Sequence, residues 1–445
     1  MARSMPPGPR IPGWLLGLLL LWRPEEFLAR CARRYGTTFT LRLGRKLGTL
    51  VYLSDPGDIK ELFRGDHETF RAGEANGTIL APLLGSASVL VTDGDTHRRQ
   101  RRLMNPAFHG RSVDALAPMM AQIAAREIES WPVGVEFATR PLFQVITLEV
   151  ILRAVIGADD ETHLAELREA LPPLVDLNLL AMMQFAFPRL QEMWPWKRFK
   201  PIEARANAAL YAEIDRCRTD PDLEDRSDVL ATLVRAREED GDHLSPTELR
   251  DQLVTLLLAG HETTATGLAW AVERLVRHPE VLAKAQTAAC DGDDTYLDAV
   301  VTETLRVRPV VPDISRRVTR PAEFAGHQLR TGVLVDPAIL LVHKSAANYE
   351  DPERFDPQRF VGKPPDPAVW LPFGGGNRRC LGAAFAATEM RVVLRELLTR
   401  VELEPTTAAG EAAKIRHVTL IPKRGAQVRI LSRLPSPVVM KRAWT

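Results

Sequence analysis

The residues best placed to do chemistry lie between Phe373 and Gly382, where the chain reads Phe-Gly-Gly-Gly-Asn-Arg-Arg-Cys-Leu-Gly. Three consecutive glycines precede Cys380; they can take dihedrals closed to other residues and let a flat ligand approach the backbone. From Leu381 onward apolar residues recur with helical spacing, at Phe385, Val392, Val393, Leu397 and Leu398, so Cys380 is expected at the N-terminal end of an amphipathic helix. Amide donors and the positive end of a helix dipole favour a thiolate over a thiol at that place. Arg378 and Arg379 add positive charge, and Arg378 is within reach of an acidic group on a bound ligand. A thiolate so placed is a candidate iron ligand. The plainer alternative is a Gly-rich turn whose cysteine only packs.

A second group interrupts a long apolar stretch. Ser245-Pro246-Thr247-Glu248 is a capping box with proline at the first helical position, so a helix starts there and can run to His278, on the order of 50 Å. Leu253 to Trp270 is apolar nearly all round and must be buried, yet it holds Gly260, His261, Glu262, Thr263 and Thr264. A carboxylate and hydroxyls in such a place are costly without partners or a function. Two charged pairs complete the candidates. His97 and Arg101 share a helix face at i, i+4 spacing, with Arg98, Arg99 and Arg102 on other faces, open to a protein partner. Glu303 and Arg306 share a face at i, i+3 on a helix from Tyr296 to Val307, which by itself reads as a surface ion pair of little weight.

At every fixed position the cysteine stretch resembles the haem-binding motif of the cytochrome P450 family, Phe-x-x-Gly-x-Arg-x-Cys-x-Gly, here Phe373, Gly376, Arg378, Cys380 and Gly382. The resemblance implies haem b with Cys380 as the proximal thiolate. Ala259, Gly260, Glu262 and Thr263 are similar to the family's oxygen-activation motif, which implies that Glu262 and Thr263 relay protons. His97, Arg101 and Arg316 resemble its propionate-binding residues. Glu303 and Arg306 resemble its ion pair that holds the cysteine loop, completed by a third arginine, best matched by Arg359 with Arg354 as runner-up. The apolar, proline-broken stretch from Leu174 to Trp196 resembles the lid over the pocket, with Leu179, Met183 and Phe185 as substrate contacts.

What the resemblance implies is a mainly α fold with a smaller β-rich portion. The activity it implies inserts one oxygen atom from O2 into a small, largely apolar organic substrate. With no flavin or ferredoxin domain attached, electrons would come from a separate ferredoxin-type donor and its reductase. A non-catalytic haem-thiolate sensor would need Cys380 but not Glu262 and Thr263. A helical scaffold without haem would need none of them.

The elements that must position these residues follow from the rest of the chain. With 445 residues, 45% hydrophobic, and no linker, repeat or low-complexity tract, it reads as one large domain over 1–445. A net charge of +1 gives no global reason to expect nucleic acid as a partner. Four widely spaced cysteines argue against a zinc site or a disulfide framework and suit a reducing cytoplasm. Trp14 to Trp22 is apolar but short of the roughly 20 residues a membrane span needs. Residues 1–24 therefore read as a short apolar lead and not an anchor. Phe39 to Leu43 and Thr49 to Ser54 predict two strands, a helix follows near Asp55, residues 71–92 predict a loop, and 116–131 and 142–156 predict packing helices.

Overall fold

In a computed structural model, residues 4–44, 48–65, 67–157, 161–175, 193, 196–237 and 241–435 are described. Leu179, Met183 and Phe185 lie outside the described residues. Helices α1 (Gly13–Trp22) and α2 (Pro24–Tyr35) precede the hairpin of β1 (Thr38–Gly44) and β2 (Gly48–Leu53), whose register runs from Thr38 opposite Leu53 to Gly44 opposite Gly48. Helix α3 (Pro56–Arg64) is capped by Asp55, whose side chain accepts from the Asp58 amide. Strand β3 (Phe70–Arg71) leads into α4 (Ala72–Leu84), so the loop expected over 71–92 is helical across most of its length. Its helical signal is weak, because Pro82 and two glycines interrupt the pattern. Its first turn is held from outside: both Asp93 carboxylate oxygens accept at 2.9 Å, from the amides of Gly73 and Glu74.

Helix α5 (Gly94–Met104) carries the basic segment, and α6 (Ala117–Ile128) and α7 (Thr139–Ile151) follow, α7 ending in a wider turn over Leu152–Ile156. The long helix α8 (Pro246–Leu275) starts as its sequence predicts: Ser245 Oγ accepts from Glu248 N, and Glu248 accepts from Ser245 N. It is buried from Leu249 to Leu257 and again from Thr264 to Glu273, and opens between them. Trp270, fully buried, donates to Leu420 O at 2.8 Å. Then come α9 (Asp294–Val307), β4 (Arg316–Val318), β5 (Leu334–Pro337), α10 (Ala383–Arg400) and the hairpin of β6 (Ala413–Arg416) and β7 (Thr419–Pro422).

The largest sheet has the order β1-β2-β5-β4-β3, with β2 and β5 parallel. It therefore joins the N-terminal hairpin to segments nearly 300 residues later and fixes Arg316 opposite Val335, on a strand paired on both sides. One large apolar core links α5 to α10, and two smaller ones lie on either side of the sheet. The fold is mainly α with a smaller β-rich portion, as the resemblance implies.

Candidate active site

The cysteine loop is closed by the Cys380 amide donating to Phe373 O at 2.8 Å. Gly374 and Gly376 have φ of +65° and +63°, conformations that side chains disfavour. The close approach that the glycines allow is to the protein itself: a Cβ on Gly375 would lie 2.2 Å from the Phe63 ring, and one on Gly376 2.2 Å from Phe63 O. Glycine is therefore required at these two positions by the protein's own packing. Helix α10 begins at Ala383, after Cys380. The thiol is solvent-accessible and yet densely surrounded by protein. Burial pushes its pKa above the ordinary 9.0, outweighing the Gly382 amide and the fields of Arg101 and Arg379. The Gly382 amide and the two arginines alone do not make the thiolate that the sequence suggests; a coordinated cation would.

Beside the loop, positive charge is crowded. His97, on α5, is 3% exposed, and burial together with Arg378, Arg101 and Arg316 pushes its pKa down to about 3. Arg101 donates to Arg379 O at 3.0 Å, and burial lowers its pKa. Arg316 lies 5.9 Å from the Phe63 ring, donates to Ile314 O at 3.0 Å, and is pushed down to about 10 by burial and by Arg378. Asp336, which faces Arg316, offers little compensation: burial and Asp313 raise its carboxyl well above the usual range. Arg378 is pushed down to about 10 as well, but most of its donors are used within the protein. It pairs with Asp93 and donates to Thr92 O at 2.6 Å and Val89 O at 3.2 Å. The expected contact of Arg378 with a ligand is therefore secondary to its tie to Asp93. A buried excess of cations next to a deep, accessible thiol fits a ligand with acidic groups at one edge and a thiolate-binding metal.

On α8, Ala259 is exposed in the middle of an otherwise buried helix, and Thr263 Oγ1 donates to Ala259 O at 2.5 Å. Gly260 lies against Ile151 of α7, where a Cβ would meet Cδ1 at 2.7 Å. Glu262 turns to a different side. Arg140 of α7 donates to it at 2.7 Å, His417 Nδ1 lies 3.6 Å away and Arg416 Nε 3.7 Å away. Burial alone would raise its pKa, but His417, Arg140 and Arg416 hold it below the usual carboxylate range. Glu262 is thus held in its ionised form at rest, bound to α7 and the β6–β7 hairpin. A crevice of about 280 Å³, lined by Gln144, Leu148, Leu258, His261 and Arg416, opens onto it. A larger crevice of about 530 Å³ lies by Pro246, roughly 25 Å along the helix from Thr263 and apart from this chemistry.

Glu303 and Arg306 are fully buried, at 2.6 and 2.8 Å, and not the surface pair their spacing suggests. Arg359 Nε is 3.3 Å from Glu303 Oε1, and the Asp356 amide donates to the same oxygen at 2.8 Å. Arg354 contributes only its carbonyl, to Arg306 at 3.1 Å. The arrangement reaches the cysteine loop through a residue that sequence reasoning missed. His343 donates from Nδ1 to Arg306 O and accepts from the Leu371 amide at Nε2, both at 2.9 Å, two residues before Phe373. No local spacing marks it. Arg99 is also placed differently from expectation: it donates to Glu248 at 2.7 Å and His243 O at 2.8 Å and pairs with Asp242, so it braces α5 against the start of α8. Arg98 pairs with Asp95 on its own helix.

A deep thiol, a gathering of cations and a long helix opened at a hydroxyl fit the haem-thiolate class. A sequence profile described as Cytochrome P450 matches residues 6–429. The chain belongs to the cytochrome P450 family and is an enzyme of its oxidoreductase class. It is 54% identical over 433 residues to cytochrome P450 135B1 of Mycobacterium tuberculosis (strain ATCC 25618 / H37Rv), spanning 96% of this chain and 91% of that protein. Over 432 residues it is 39% identical to cytochrome P450 135A1 of the same strain, spanning 97% and 96%. Among solved structures it is similar to retinoic acid bound cyanobacterial CYP120A1, with a TM-score of 0.80, 26% identity, and coverage of 98% and 100%. Among the described residues no single helix is long and apolar enough to cross a membrane.

Proposed function

We propose that this chain is a monooxygenase working as one domain over 1–445, inserting one oxygen atom of O2 into a small, largely apolar organic substrate. The observation that carries this reading is the accessible thiol of Cys380 beside the poorly compensated cations Arg101 and Arg316 and the buried, neutral His97. Cys380 would hold the iron of haem b. Arg101, Arg316 and His97 would face its acidic edge, with Arg378 adding field from its place on Asp93. When bound, haem supplies O2 activation, helped by electron density from the thiolate. The remaining work is that of the chain. Thr263 Oγ1 donates a hydrogen bond to Ala259 O at rest, which leaves its oxygen able to accept one; turning the hydroxyl away from Ala259 would let it donate towards the cleft. Glu262, held ionised at the crevice, draws protons towards that part of the helix without donating one in its resting state.

Glu303, Arg306, Arg359 and His343 keep the cysteine loop in register. Phe373 is fixed edge-on to Trp370 with ring centroids 5.7 Å apart. Electrons come from a separate ferredoxin-type donor and its reductase, in a reducing cytoplasm that suits the buried free thiols of Cys31 and Cys217. The experiment is the spectrum of reduced protein with CO: thiolate ligation gives a strongly red-shifted Soret band, absent in Cys380→Ala. A histidine-type spectrum would refute the assignment. Oxygen-dependent consumption of reductant then separates a catalyst from a haem-thiolate sensor.

A further inference from the structure

The segment from Val310 to Arg316 borders the candidate active site along its length. At one end Val310 O accepts from Leu420 N at 2.7 Å, on the hairpin whose Arg416 and His417 reach Glu262. At the other, Ile314 lies against the cysteine loop, 3.5 Å from where a Cβ on Gly374 would stand, and Arg316 joins the gathered cations. Between them stands Asp313. Like Cys380, it is solvent-accessible and yet densely surrounded by protein, and burial raises its pKa.

This carboxyl has no counter-charge. Tyr52, 3% exposed, donates to its Oδ1 at 3.3 Å, the one hydrogen bond its side chain makes among the described residues. No cation is among the groups that act on it. Arg316 does not serve, since the acids that act on Arg316 are Asp336 and Asp93. The neighbouring carboxyl, Asp336, is fully buried and engaged, accepting from the Ile314 amide at 3.2 Å and from Ser315. Asp313 is therefore the acid with an oxygen, Oδ2, left to offer. The surroundings of Tyr52 are apolar, with Phe39, Leu41, Leu340 and Leu420 packed in the same cluster.

We propose that Asp313 determines specificity by binding the cationic nitrogen of an otherwise apolar substrate, a basic group at the end of a hydrocarbon body. This rests on the monooxygenase reading and narrows its substrate class. A carboxyl in dense surroundings without a counter-charge costs stability, and an arriving cation supplies that charge. The carboxylate then accepts charge-assisted hydrogen bonds at Oδ2 and, beside Tyr52, at Oδ1. An uncharged substrate leaves the cost in place, and an anionic one adds to it.

The test is equilibrium dialysis of the haem-loaded protein with octylguanidine, octylurea and octanoate, which are similar in length and differ in charge. A guanidinium has no acceptor atom with which to ligate iron, so its binding reads the protein. It should bind more tightly than the urea by roughly tenfold or more. Asp313→Asn keeps the shape and an acceptor for Tyr52, and should bring the two ligands to within about twofold. If that variant fails to fold, the parent's own preference between guanidinium and urea decides. Equal binding of these two by the parent, a preference for octanoate, or an unchanged preference in Asp313→Asn would each overturn the proposal. Failure of the underlying reading shows separately, as a CO spectrum without the thiolate band.

Discussion

Replacing His343 by phenylalanine keeps a ring in a site only 1% exposed but removes both hydrogen bonds that link α9 to the cysteine loop. The Arg306 carbonyl is in the last helical turn, where no intrahelical partner serves it, and Leu371 is fully buried. Leaving a buried donor and acceptor unsatisfied costs about 1–3 kcal/mol each, so the variant should lose about 2–6 kcal/mol. The pH dependence gives an independent reading. Burial holds the ring's pKa down to about 3, against 6.5 for an ordinary histidine, so unfolding takes up a proton between those values. The stability tied to the neutral ring is fully present above 6.5 and is lost as pH falls towards about 3. Its slope is up to about 1.4 kcal/mol per pH unit. Urea unfolding curves near neutrality and about two units below it measure both effects. His343→Phe should be less stable at neutral pH and lose less on acidification than the parent, its remaining acid loss including that of His97, whose pKa is shifted in the same direction. A midpoint equal to the parent's, or an unchanged acid slope, would refute the bridge.

Arg306→Ala should cost about 3–5 kcal/mol by leaving the buried Glu303 without its closest partner. Arg359→Ala should cost less, being 16% exposed and 3.3 Å from Glu303, and Arg354→Ala least, since Arg306 uses only its carbonyl. Thermal unfolding ranks the three, and a reversed order of Arg354 and Arg359 would reassign the third member. Combined Arg101→Ala and Arg316→Ala should release haem during dialysis faster than the parent; equal retention would reject their assignment to its acidic edge. Arg99→Ala should lower stability by about 1.5–3 kcal/mol through loss of its bonds to charged partners, while encounter with an acidic electron donor stays unchanged in stopped-flow traces. A slowed encounter would return Arg99 to the docking surface. Thr263→Ala should keep haem and substrate binding but divert reductant into hydrogen peroxide, with product formation down by about 10²- to 10⁴-fold; full coupling would move the proton route elsewhere.

What the sequence determined by itself is local. The capping box and long apolar run place α8, the spacing around Cys380 places the loop and α10, and the motif order shows the family. These are short-range signals, because caps, turns and helical periodicity depend on residues a few positions apart. Tertiary structure decided whatever depends on burial or on distant partners. Residues 72–84 form a helix because Asp93 holds its first turn from outside. Cys380 has a raised pKa because desolvation outweighs the Gly382 amide and two arginines. Glu262 is ionised because Arg140 and His417, 122 and 155 residues away in the chain, close on it. Arg359 is distinguished from Arg354 only by which guanidinium reaches Glu303, and His343 joins two elements whose sequences bear no mark of each other. Desolvation and long-range charge arise only once the chain has brought these groups together, so no pattern of spacing could have carried them.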